Sequence, residues 1–119
     1  MRKLRDEERA LLVAMVSISP RSPELIKSLD DCLVEDLKDG GMGSIRLHWE
    51  GDGERHYGLT LSEAEIIDSD GVPIKLYVDL DTDGKLYELD SWKVDFSPRI
   101  SYPDAGSVVA TASKTPYES

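Results

Sequence analysis

A single cysteine, Cys32, leaves this 119-residue chain without an internal disulfide or a multi-cysteine zinc site. Histidine is almost as scarce. Only His48 and His56 are present, and neither has a cysteine or a second histidine at ligand spacing, so histidine-based metal binding is not expected. Nucleophilic catalysis needs a Ser-His-Asp or Cys-His set, and no such set is apparent. Cys32 lies in an apolar stretch with no basic neighbour to lower its pKa, which makes it a core residue. No enzyme activity and no cofactor are expected. The longest apolar run, Ala10 to Val16, is far too short to cross a bilayer. Asp6, Glu7 and Glu8 stand between the basic start and that run, a pattern unlike a secretory leader. A soluble protein of the reducing cytoplasm follows as the expectation, with no membrane partner.

Positive charge is also in short supply. The chain holds 14 Lys and Arg against 24 Asp and Glu, a net charge of −10. Residues 1–31 balance, and so does the stretch from Arg99 onward. Residues 32–98 carry the whole excess, 16 acids against 6 bases. A field of that sign repels nucleic acid and anionic membrane and attracts cations or basic proteins. The plainer meaning of the same excess is a solvated face that keeps a small domain soluble.

What is present describes a two-part chain of ordinary size for one domain, burying about two thirds of its unfolded surface. Leu11, Leu12, Met15 and Val16 recur at helical spacing behind three acids, predicting a helix over 6–18. Ser22-Pro23 reads as an N-cap and first helical residue, with Leu25, Ile26 and Leu29 as the apolar stripe. Residues 32–38 fit a helix or a strand, and the strand is favoured. From Asp39 the pattern is β. Asp39-Gly40-Gly41 is a turn, not a phosphate loop, because no lysine and no helix follow. Ile45, Leu47 and Trp49 alternate with polar residues, and so do Tyr57, Leu59 and Leu61. Near Ser62 the parity slips, as a bulge or as a capping box opening one helical turn. Val72 to Leu80 is the cleanest strand, and Leu86 to Val94 follows across Asp83-Gly84. A second slip near Asp90 turns Trp92, Val94 and Phe96 to the core and Lys93 and Asp95 away from it.

These elements predict an α+β fold over residues 1–100, two N-terminal helices on an antiparallel meander of about five strands. Residues 101–119, rich in Ser, Ala, Thr and Pro, read as a largely disordered tail.

The sharpest chemical pattern runs from Asp79 to Asp90. Asp79, Asp81 and Asp83 fall at positions one, three and five of a calcium-loop template, Gly84 at six and Asp90 at twelve. Hard cations need several oxygen ligands on a tightly turned backbone, which the pattern offers. Against this, Val72 to Val78 alternates and contains Pro73, so no entering helix is available, and a hairpin turning at Asp81 to Gly84 competes. A cation module at Asp79, Asp81, Asp83 and Asp90 is therefore the alternative to the main expectation. That main expectation is a non-enzymatic, immunity- or inhibitor-like protein whose acidic surface takes a basic protein partner.

Two segments together, Asp39-Gly-Gly-Met-Gly-Ser44 and Glu88-Leu-Asp-Ser-Trp-Lys-Val-Asp-Phe-Ser-Pro98, resemble a family of small uncharacterised bacterial proteins known only as a domain of unknown function. The resemblance runs from about Leu4 to Pro98. It implies a bacterial cytoplasmic protein with an α+β domain and brings no functional residue with it.

Overall fold

The computed structural model describes residues 1–113. The chain begins with a short strand, β1 (Arg2–Lys3), and then forms α1 (Asp6–Val16) and α2 (Ser22–Ser28). Glu8, at the third position of α1, reaches back to the Arg5 amide at 2.8 Å and forks onto Arg2, so the helix start is tied to β1. α2 opens from Arg21; Ser22 is its first residue and Pro23 lies in its first turn. A 3-10 turn (Leu29–Asp31) leads into β2 (Leu33–Asp36), which resolves the helix-or-strand alternative as a strand.

The remaining strands are β3 (Ile45–His48), β4 (Tyr57–Ile67), β5 (Pro73–Asp81), β6 (Leu86–Lys93) and β7 (Thr111–Ala112). All seven form one sheet in the order β1-β2-β3-β6-β5-β4-β7, and every neighbouring pair is antiparallel. The expected five strands become seven because two-residue edge strands leave no periodicity to detect. Only β4-β5-β6 is a meander. β3 lies beside β6, and Arg55 fastens that junction. From the β3–β4 connection its guanidinium donates to the Leu47 and Leu86 carbonyls, at 2.5 and 2.7 Å, and to the Asp81 carboxylate at 2.8 Å. One side chain thus closes the ends of three strands.

α1 and α2 cover one face of the sheet. Leu11, Leu12, Met15 and Val16 of α1 meet Val34, Ile45, Leu47, Ile74, Leu76, Val78 and Leu89 in the core, and Cys32 is buried with them. Burial pushes the Cys32 thiol up, as suits a core residue.

Two register details depart from the alternation in the sequence. In β4 the slip near Ser62 is a bulge: shifts occur between Tyr57 and Leu59 and again between Thr60 and Ser62. The result exposes Tyr57 and Leu59 and buries Thr60 and Ser62. In β6 the irregularity falls between Leu86 and Glu88, where Asp79 and Leu80 face them, and not at Asp90. Leu89 keeps its expected place in the core, but the expected side is reversed for the residues beyond Asp90. Leu89, Ser91 and Lys93 face the helices, while Trp92, Val94 and Phe96 face away, with Phe96 73% exposed.

The segment after residue 100, expected to be tail, is held in place as far as the described residues extend. Asp68 accepts the amides of Ile100 and Ser101, Pro103 is buried, and β7 adds to β4 at Ser62 and Glu63. Residues 114–119 lie outside the described residues.

Candidate binding face

The sheet face away from the helices is where the charged and aromatic side chains of β2–β6 gather. Glu35, Arg46, Glu88, Asp79 and Thr60 follow one another across β2, β3, β6, β5 and β4, because the ladder pairs each with the next. The next row runs Asp90, Tyr77, Glu63, and the one after it Trp92, Lys75, Glu65. Three acids meet a base on this face. Arg46 binds Glu88, Lys75 binds Glu65, and His48 lies 2.9 Å from Glu35. Arg46 also lies over the Tyr87 ring at 5.0 Å. Among the described residues, Glu63, Asp79 and Asp90 have no cation within ion-pair distance.

Asp79 is the unusual member. It is 8% exposed although it lies on the outer face. Thr60 donates to it at 2.8 Å, and the Tyr57 hydroxyl lies 2.8 Å from Thr60, so a polar chain runs along the face. Burial, with Asp90 and Glu88 nearby, pushes the Asp79 carboxyl up to about 6. Sequence alternation places Asp79 among outward residues but carries no sign that neighbouring strands bury it.

The four carboxylates of the calcium-loop pattern do not surround one point. Asp79 and Asp90 stand on adjacent strands, each opposite another residue, Glu88 and Tyr77. Asp81 takes the turn: its Oδ1 accepts the amides of Asp83 and Lys85, both at 2.9 Å, while its Oδ2 accepts from Arg55. Asp83 is exposed at the turn, and Ser44 donates to Asp90 at 2.9 Å. Among the described residues no group of three His, Cys, Asp or Glu is placed to hold a metal ion.

The two segments singled out by resemblance pack against each other. In the loop before β3, Asp39 accepts the amides of Met42, Gly43 and Ser44 and so folds residues 39–44 into a compact turn. Ser44 then bridges to Asp90 and the Ser91 backbone. Gly41 lies against Pro98 and accepts the Arg99 amide at 3.2 Å, while a Cβ at Gly43, with φ +87°, would run into the Arg99 guanidinium. Below this junction Lys93, 1% exposed, is clasped by Asp68 at 3.0 Å and Asp70 at 2.5 Å. Burial works against both charges. Even so, the Ile100 amide, Lys93 and the Ser69 and Ser101 amides hold Asp68 far below the usual carboxylate range.

A cleft of about 500 Å³ lies between the β4–β5 turn and residues 101–107. Its acids are already engaged: Asp68 as above, Asp104 by Gly106 and Ser107, and Glu65 by Lys75.

Fold and face together define a small α+β protein, two helices on one side of a seven-stranded antiparallel sheet, with an acidic and aromatic face on the other. The model of a family described as Domain of unknown function (DUF6984) matches residues 1–103, and the chain belongs to that family. No curated protein and no solved structure matches it. Among the described residues no helix is long and apolar enough to cross a membrane.

Proposed function

We propose that this protein is a non-enzymatic, immunity- or inhibitor-like binding module whose outer sheet face docks a basic protein. The carrying observation is the uncompensated acidity of a face on which the helices do not pack, with Glu63, Asp79 and Asp90 facing no cation among half-buried Tyr77, Tyr87 and Trp92. Arginine and lysine side chains of a partner would pair with Glu63 and Asp90 and lie over Tyr77, Tyr87 being already covered by Arg46. The absence of enzymatic chemistry is part of this reading, supported by the buried Cys32 thiol and by His48 being engaged with Glu35. A cytoplasmic setting, and the exclusion of nucleic acid and membrane as partners, rest on the single cysteine and on the net charge of −10.

The test is retention of proteins from the chain's own cells by the wild type and by the Glu35→Lys/Glu63→Lys variant. Each retained protein is identified and then titrated in purified form at low and high salt. A basic protein held by the wild type, weakened by the reversal and by salt, is the expected result. Identical retention by both forms would overturn the reading.

A further inference from the structure

Phe96 is the chain's only phenylalanine, and the fold puts it in water: 73% of it is exposed. It is also the one non-glycine of positive φ among the described residues, at +61°, a conformation that bulky side chains avoid. Its ring lies on Trp92, with centroids 5.8 Å apart and planes 15° from parallel. Val94, on the same outward side, is 38% exposed beside them.

Nothing about this turn is loose. The Phe96 amide donates to the Lys93 carbonyl at 2.8 Å, and Asp95 accepts both the Ser97 amide and hydroxyl, at 3.0 and 2.6 Å. On one side the turn is fastened by the buried Lys93 to Asp68 and Asp70, on the other by Pro98 and Arg99 to Gly41. An elaborate set of contacts thus holds a strained backbone whose effect is to display an aromatic pair. A rigid aromatic that loses little freedom on contact is what binding anchors are made of.

We propose that the Trp92–Phe96 stack is a preformed anchor that enters an apolar pocket on a basic protein partner, whose cations meet the acids beside it. This rests on the docking face proposed above and assigns its central contact. Charge selects the occupant. Asp90, two residues before Trp92 on the same face of β6, and Asp95, next to Phe96 in the chain, flank the stack, and a second copy would bring the same acids and another net charge of −10, whereas a basic surface neutralises them.

The experiment places p-benzoylphenylalanine at position 96 of the full chain, and separately at Val109, itself 78% exposed, and irradiates the cells that make it. The expected product is an adduct from position 96, and not from 109, with a basic protein identified by mass spectrometry. That protein, purified, is then titrated against the wild type, Phe96→Gly and Glu35→Lys/Glu63→Lys. Glycine accepts positive φ, so Phe96→Gly should melt no lower than the wild type and yet bind at least about tenfold more weakly. The proposal is overturned if position 96 gives no adduct beyond that of 109, if the adduct is a second copy or a nucleic acid, or if Phe96→Gly binds like the wild type. In the last case, weakened binding by Glu35→Lys/Glu63→Lys would leave the docking face standing without this anchor. Undiminished binding by both variants would remove both.

Discussion

Buried beside the carboxylates of Asp90 and Glu88, Asp79 keeps its proton to about pH 6 even though the Thr60 hydroxyl donates to it. An ordinary unfolded aspartate loses it near 4. The native state therefore binds this proton more tightly, so its contribution to stability is full below about pH 4 and is lost as pH rises through about 6. Two pH units correspond to about 3 kcal/mol. Asp39, Asp52, Asp68 and Asp81 are shifted downward, and theirs is the opposite dependence, present at neutral pH and lost in acid. Asp79→Asn should accordingly be more stable than the wild type by about 2–3 kcal/mol at pH 8, with the gap closing toward pH 4 in urea titrations. Lys93 gives the contrary case, a buried charge that is paired. Lys93→Met leaves Asp68 buried without its ammonium and should lower the melting temperature by about 10 °C or more. Neither environment was legible in the sequence. A lysine between Trp92 and Val94 reads as outward, and only the bulge near Tyr87 turns it inward.

Bulges and turns decide what each strand shows. Where β4 bulges at Gly58, a Cβ would lie 2.5 Å from the Asp81 carbonyl oxygen, backbone against backbone. Gly58→Ala should cost about 1–3 kcal/mol, read as a shift in the urea midpoint at unchanged slope. The β5–β6 hairpin answers a different question. A cation bound at Asp79, Asp81, Asp83 and Asp90 would have to draw Asp81 from Arg55 and Asp79 from Thr60. Melts in EDTA and in millimolar calcium should therefore coincide. A ligand at about 100 times its dissociation constant would raise the midpoint by about 10 °C or more. Element type was readable in advance for α1, α2, β3, β5 and β6, where apolar spacing follows one period. It was the parity after each irregularity that misled, since one inserted residue exchanges the two faces. The edge strands β1 and β7 had no signal, being set by their neighbours.

At the scale of the molecule, the acidic excess of residues 32–98 and the two-helix, antiparallel plan were legible in advance, because charge and hydrophobic period are properties of segments. Strand order was not, because β3 pairs with β6, a strand about forty residues on, and the Arg55 side chain that ties three strand ends there leaves no local pattern. The order has a mechanical corollary. Everything before residue 50 joins the β4–β5–β6 meander through a short ladder, Ile45 with Leu89 and Arg46 with Glu88, through Ser44 on Asp90 and Ser91, and through the helices packed on the core face. Gly53 and Glu54, both exposed, sit in the single covalent crossing between the halves. Cutting there would make folding a bimolecular event. Fragments 1–53 and 54–119 should recover the native circular dichroism only when mixed, and their melting temperature should climb with concentration, as that of the intact chain does not.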